Sequence, residues 1–599
     1  MTEQEHFSRR TVLTTSAAVA TLAALSGRAA AAPLSARKES AESTGQAVAA
    51  GGGGAVATVD PVATAIGIQV LRAGGNAVDA AVATAAALGL TVPYFDGVGG
   101  TAYVTIYWAR DGHVSVIGDR TPAPQAFGPN DSVGLSGTGA LVVGVPTTVR
   151  IWEQLLERYG TISLRRALQP AITAAYRGFK VDEPFHNFAV APRNKAFIST
   201  REVFLTANGE APAVGAVFRN PRLAKAYELI GKKGADAFYN GPISEAIVDT
   251  IKHPPLAPDA SDYIPEAALR PGKLELPDLS NYRPPVVSPT HVNYRGYDIY
   301  SSPPPESGGS TVGEALNILQ GFDLSGSDRA LAWHRVIEAS KLAYADRARW
   351  VGDPAFADVP LEGLLAQDFA SKRRSLIGDH ALEVPVAAGD PSPPYGATSA
   401  GVGPTEKADD TGHTQSFSVA DRWGNVVTYT GTVVSVGGSG LAVKDYGFLF
   451  NNELGNFNTR PLFEGDPNVA APGKRPRGNM APTIVLRDGR PVLSIGVAGG
   501  QTIQTTVLSI LVNHLDFGMG LPEALATARA SQLNTTTTTA EPDFVAQYGN
   551  ELATRFDQSL KETPTIAFAQ GISLLPGGRF VAVSDTRGGG GDARVIRPL

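Results

Sequence analysis

Cysteine is missing from all 599 residues, which excludes disulfides, thiolate nucleophiles and cysteine-held metals together. Covalent chemistry, if there is any, must run through oxygen or nitrogen. Histidine is sparse: the nine residues are scattered, with no His-x-His or His-Glu-x-x-His spacing to bring two ligands onto one metal. No metal or other cofactor is expected. The chain also lacks an excess of positive charge. Its formal net charge is -6, and no Lys/Arg cluster stands out after the N-terminal region, so a phosphate backbone finds no general attraction and nucleic acid is not an expected partner. Nor is there a long uncharged apolar run: Ala77 to Leu90 is too short to cross a bilayer, and no membrane anchor is expected. What is present, 43% hydrophobic and 18% charged residues, is the composition of a globular protein. The length allows two domains or one large layered domain.

Ser8-Arg9-Arg10-Thr11-Val12-Leu13, a weakly apolar stretch from Thr14 to Leu25, and small residues Ala29 to Ala32 follow the order of a twin-arginine export signal over residues 1–32. An arginine pair alone is only a basic patch. The order of the three regions makes export the expectation, with a periplasmic or extracellular destination.

Beyond the glycine run at 51–54, Asp60-Pro61 pairs an N-cap with a first-turn proline, and Val62, Ile66 and Val70 share one face of a helix that Gly74-Gly75 closes. Asn76 caps a second helix. Alternation over 102–107 and 113–117 reads as a strand hairpin leading into Arg120. Helices are predicted over 149–159, 163–176 and 334–350, the last with Val336, Ala339, Leu342 and Ala343 as its core side. From about 383 to 413 Pro, Gly, Ser, Ala and Asp dominate and apolar periodicity disappears, which reads as a flexible tether. Order resumes at Thr414, with strands over 415–420 and 426–432 around the turn Asp421 to Asn425.

If Ala420 faces Val426, antiparallel pairing sets Thr414 opposite Thr432, with β-carbons about 5 Å apart. A threonine hydroxyl alone is a poor nucleophile. A cut before Thr414 would supply an α-amine, of reference pKa about 8, to act as base for its own hydroxyl. Spacing alone leaves the plainer alternative open, that both are ordinary strand threonines.

Several stretches carry a resemblance: Val70-Leu71-Arg72-Ala73-Gly74-Gly75-Asn76-Ala77-Val78-Asp79-Ala80-Ala81, Gly97-Val98-Gly99-Gly100, Val143-Gly144-Val145-Pro146, Pro303-Pro304-Pro305-Glu306-Ser307-Gly308-Gly309, Lys341 to Arg347, Thr414 to Asn425, and Asn451-Asn452. In this order the chain resembles the gamma-glutamyltransferase family of N-terminal-nucleophile hydrolases. The resemblance implies a four-layer αββα sandwich shared by two autoprocessed subunits, residues 33–413 and 414–599, which stay associated. It implies cleavage between His413 and Thr414 by attack of Thr414 on the preceding carbonyl, an N-to-O acyl shift, and hydrolysis of the ester. Thr414 then attacks a small-molecule amide to give an acyl-enzyme. Gly499 and Gly500 match the family's oxyanion-hole glycines, whose amides need close approach; without the resemblance they read as a turn.

Arg120 aligns with the arginine that holds a glutamyl α-carboxylate, where the residue by itself suggests a surface ion pair. Glu453 falls where the family has Glu or Gln near the substrate amine. Three positions depart: the family's ammonium-binding Asp is Asn456, its Asn beyond the second threonine is Val434, and its paired serines are Gly478-Asn479. Loss of that Asp weakens binding of a free amino acid. The γ-glutamyl amide expected from the family therefore shares the field with glutaryl, cephalosporin-acylase-like and oxamate-type substrates. The segment 458–474, where the family often carries a lid, is short, so water is the expected acceptor. A different class of reading also stands: an unprocessed, non-catalytic homologue that binds a small carboxylate at Arg120.

Overall fold

The computed structural model describes residues 48–132, 137–398, 414–585, 587 and 590–597. The export signal over 1–32, His413 and the end of the tether from 399 lie outside them.

Six strands in the order 592–595, 54–58, 415–421, 426–432, 101–108 and 113–119 form one sheet. Seven in the order 48–52, 579–584, 568–575, 490–498, 483–487, 297–301 and 290–294 form the other. The sheets stack face to face, strands 415–421 and 426–432 lying against 490–498. Helices Pro61–Arg72 and Ala77–Thr91 cover the outer face of the first sheet, and Gly308–Leu319 and Ile503–Leu515 that of the second. The result is the helix–sheet–sheet–helix sandwich expected from the resemblance.

Period-two alternation assigns each side chain to a layer. In strand Gln415–Asp421, Phe417 and Val419 join the helix-side core with Tyr429, on which Phe417 stacks at 4.8 Å between centroids. Ala420 joins the smaller cluster between the sheets, with Ala55, Val426, Ile484 and Ile572. Small residues let the sheets approach: a β-carbon on Gly496 would sit 2.2 Å from Ser416 Oγ. Thr414 shares the parity of Ser416 and Ala420, and therefore belongs to the layer between the sheets.

The two early helices form as their caps dictate. Asp60 accepts from the Ala63 amide, and Asn76 makes a reciprocal capping box with Asp79. The glycine run at 51–54 lies in two short strands broken at Gly53. Two sequence readings need correction. Helix Arg329–Trp350 does not have one core side; it is buried nearly all round. Its polar residues are buried because they are paired: Lys341 with Glu338 at 2.7 Å, Asp346 with Arg373 at 2.8 Å. Nor is the segment from 383 a free tether over its first part. The Val386 amide donates to Asn534 Oδ1, that of Gly389 to Asp346 Oδ1, and Trp350 Nε1 to the Gly389 carbonyl. Distant partners satisfy its backbone, which composition does not reveal. Among the described residues no helix is long and apolar enough to cross a membrane.

Candidate active site

The register pairs Val426 with Ala420 and continues to Gly431 opposite Gln415. One step further the hydroxyls meet: Thr414 Oγ1 donates to Thr432 Oγ1 at 3.3 Å. Thr432 Oγ1 also accepts from the Val434 amide at 2.8 Å. Both threonines are buried. The backbone of Thr432 is seated by Gly100, where a β-carbon would lie 2.2 Å from the Thr432 carbonyl oxygen. Asn451 secures this corner, donating to the Gly99 and Gly144 carbonyls and accepting from the Gly144 amide. Asn452 does the same for the loop after Thr432, accepting from the Ser435 amide and donating to Ser435 Oγ. The Gly97–Gly100, Val143–Pro146 and Asn451-Asn452 stretches are thus parts of one support.

A cavity of about 50 Å³ opens beside the two threonines, bordered also by Arg120, Val434, Asn456, Asn479, Met480 and Gly500. Strand Arg490–Ala498 delivers Gly499 and Gly500, with φ of 153° and 59°, before the helix Ile503–Leu515. Those angles favour glycine. Gly500 borders the cavity; Gly499 packs on Ala567, where a β-carbon would lie 2.6 Å from the Ala567 β-carbon. Val434 holds φ at 83°, a conformation β-branched residues rarely adopt.

Arg120 follows strand His113–Asp119 and is buried. Its Nη1 lies 2.9 Å from Glu306 Oε1, and its Nη2 is paired with Glu453. Asn456 donates to Glu453 Oε1 at 2.9 Å. Gly478 lies against Glu306, and the neighbouring Met480 amide donates to Glu306 Oε2 at 2.7 Å. Asn479 Oδ1 accepts from Arg347 Nη2 at 2.6 Å, while Arg347 Nε and Gln504 Nε2 both donate to Ser307 Oγ. Asp119, next to Arg120, accepts from Arg475 Nε at 2.6 Å and Tyr282 Oη at 3.1 Å. Burial pushes the Asp119 carboxyl up to about 6 against the pull of Arg475.

Every site residue named from the sequence within the described chain lies in this region. Glu306, Arg347, Gln504 and Arg475 were missed as site residues. Glu306 and Arg347 sit inside stretches that carried the resemblance, and a charged residue in such a stretch was the available signal. The short segment 458–474 folds on itself, Asp466 accepting from Asn458 Nδ2 and the Leu462 amide, and contributes no wall to the cavity. Among the described residues no group of three or more His, Asp or Glu is placed to hold a metal ion.

The Gamma-glutamyltranspeptidase family profile matches residues 63–595. The chain belongs to this family. It is 35% identical to a glutathione hydrolase proenzyme of Bacillus subtilis (strain 168) over 492 residues, 80% of each chain. It is 31% identical to the Acylase ACY 1 proenzyme of Pseudomonas sp. (strain SE83) over 498 residues, 80% of this chain and 82% of the relative. The crystal structure of cephalosporin acylase from Bacillus halodurans superposes with a TM-score of 0.81 at 26% identity, covering 95% of this chain and all of that one. Family membership makes the chain an enzyme of the N-terminal-nucleophile hydrolase class, with both glutathione-hydrolase and acylase relatives.

Proposed function

We propose that the chain matures by cutting itself between His413 and Thr414 and then hydrolyses a small-molecule amide through an acyl-enzyme on Thr414. The observation that carries this reading is the Thr414–Thr432 hydroxyl pair, 3.3 Å apart, at a cavity shared with Gly500 and Arg120. Once released, the Thr414 amine is the base closest to its own hydroxyl, and Thr432 holds that hydroxyl in place. The attack raises a negative charge on the carbonyl oxygen, for which the backbone amides at Gly499-Gly500 are the proposed donors. The departing amine takes the proton, and water releases the acyl group in a second attack. No further base is needed.

Water as acceptor is supported by the short 458–474 loop, which leaves the cavity without a cover from that side. The proenzyme names of the relatives support self-cleavage, and glutathione hydrolase and acylase relatives support amides as the substrate class. The residue order over 1–32 supports export by the twin-arginine route. The test is intact mass and a denaturing gel of the parent and of Thr414→Ala. The parent is expected to give a fragment that begins at Thr414, and the variant a single uncut chain. An uncut parent would support the non-catalytic, carboxylate-binding reading.

A further inference from the structure

Arg120 brings a guanidinium to the border of the cavity, and both of its terminal nitrogens are already used by carboxylates of the chain itself. Nη1 is on Glu306 and Nη2 on Glu453, with side chains 3%, 0% and 0% exposed. Glu306 accepts on both oxygens, Oε1 from Arg120 and Oε2 from the Met480 amide, and these contacts pull against the burial that pushes its carboxyl up. Its seat exists only because residue 478 is glycine. A β-carbon there would lie 2.3 Å from both carboxylate oxygens, so any other side chain would displace the glutamate. Arg120 and Arg347 stand against Glu306 and Glu453, Arg347 being buried on Ser307 and Asn479. A carboxylate brought in by a substrate would be a further buried charge facing Glu306 and Glu453, which already hold both terminal nitrogens of Arg120.

We infer that Glu306, seated on Gly478, is a built-in carboxylate for Arg120, and that the site takes amides of short acyl groups bearing no carboxylate at that end. The inference rests on the hydrolase reading above and gives it a substrate class. Glu306 is a specificity residue here. It acts through Arg120, and its effect is on the choice of acyl group.

Four p-nitroanilides separate the terms: butyryl, 4-aminobutyryl, glutaryl and γ-glutamyl, that is, neither charge, ammonium only, carboxylate only, and both. With the self-cleaved enzyme, kcat/KM for the better of the two carboxylate-free substrates is expected to exceed both others by at least about tenfold. In Glu306→Gln, which keeps the shape and removes the charge, that ratio is expected to fall by about tenfold or more. A wild-type preference under about tenfold, or an unchanged ratio in a folded Glu306→Gln, overturns the inference. If that variant does not fold, the wild-type ranking decides. A processed chain that turns over none of the four fails the hydrolase reading, and binding then settles the present one. Butanamide raising the melting temperature where 4-carbamoylbutanoate does not supports it; the reverse order, or no shift with either, overturns it.

Discussion

At the scale of single residues, the hydroxyl of Thr432 and the carboxyl of Asp96 each lead to a measurement. Thr432 touches Thr414 only through a hydrogen bond, and one such bond corresponds to about tenfold in rate. Thr432→Val is therefore expected to slow the appearance of the Thr414 fragment by about tenfold or more, with Thr432→Ser recovering most of it, as followed on gels over time. Asp96 lies under the strand Val426–Thr432, taking the Gly97 amide on one oxygen and packing against Gly431. Burial pushes its carboxyl from 3.8 up to about 7, against the pull of that amide. A raised carboxyl binds its proton more tightly folded than unfolded. Its stabilising effect is complete below pH 3.8 and is lost as pH rises through about 7. Asp60 and Asp119, each pushed up to about 6 by burial, add to the same slope. Urea unfolding of Asp96→Asn in the uncut Thr414→Ala background is expected to show a shallower decline between pH 4 and 8, by at most about 4 kcal/mol. A slope equal to that of the Thr414→Ala parent would contradict the assignment.

At the scale of elements, the strand Gln415–Asp421 and its partner Val426–Thr432 need little beyond their own sequence. Alternation, a five-residue turn and antiparallel register place Thr414 opposite Thr432. The loop that follows is where local preference and structure disagree. Val434 sits at φ 83° because its amide is drawn to Thr432 Oγ1. A β-branched residue there stores about 1–3 kcal/mol of strain. Val434→Asn, a residue that tolerates this conformation, is expected to raise stability by about 1 kcal/mol in denaturant titration of the uncut Thr414→Ala background. A loss of stability would mean that the valine side chain's packing against its neighbours outweighs the strain.

For the whole molecule, the proposed cut falls between segments that share both sheets. In the first, strands 415–421 and 426–432 lie between 54–58 and 101–108, and in the second 483–487 pairs with 297–301. A cut before Thr414 therefore leaves the parts hydrogen-bonded along several strand edges. Arg475 adds a buried tie to Asp119 across the same division. Arg475→Ala strands that carboxylate and is expected to destabilise the assembly by about 3 kcal/mol. The cleaved parent should elute as one species without denaturant, and the variant should separate at lower urea; equal urea midpoints would count against the tie.

Legibility followed sequence distance. The caps at Asp60 and Asn76, the hairpin before Arg120 and the threonine pair are set by neighbours within a few residues or by register arithmetic, and could be read directly. The resemblance named Arg120, Glu453, Asn456, Gly478 and Asn479 as one site, and the structure brings them together. It carried no sign that Arg120 is already paired, because Glu306 lies 186 residues away and no local rule links them. Arg475 and Asp119 are separated by 356 residues, and the polar face of helix Arg329–Trp350 reads as a solvent side until its partners are known. The sequence by itself determined the strand from Gln415, the register that sets Thr414 opposite Thr432 and the absence of thiol chemistry, since alternation, turn residues and composition act locally, while the layered class came from the resemblance. Only the tertiary structure decided which charges meet. Burial makes each unpaired carboxylate or guanidinium costly, and pairing across the sandwich is how the fold removes that cost.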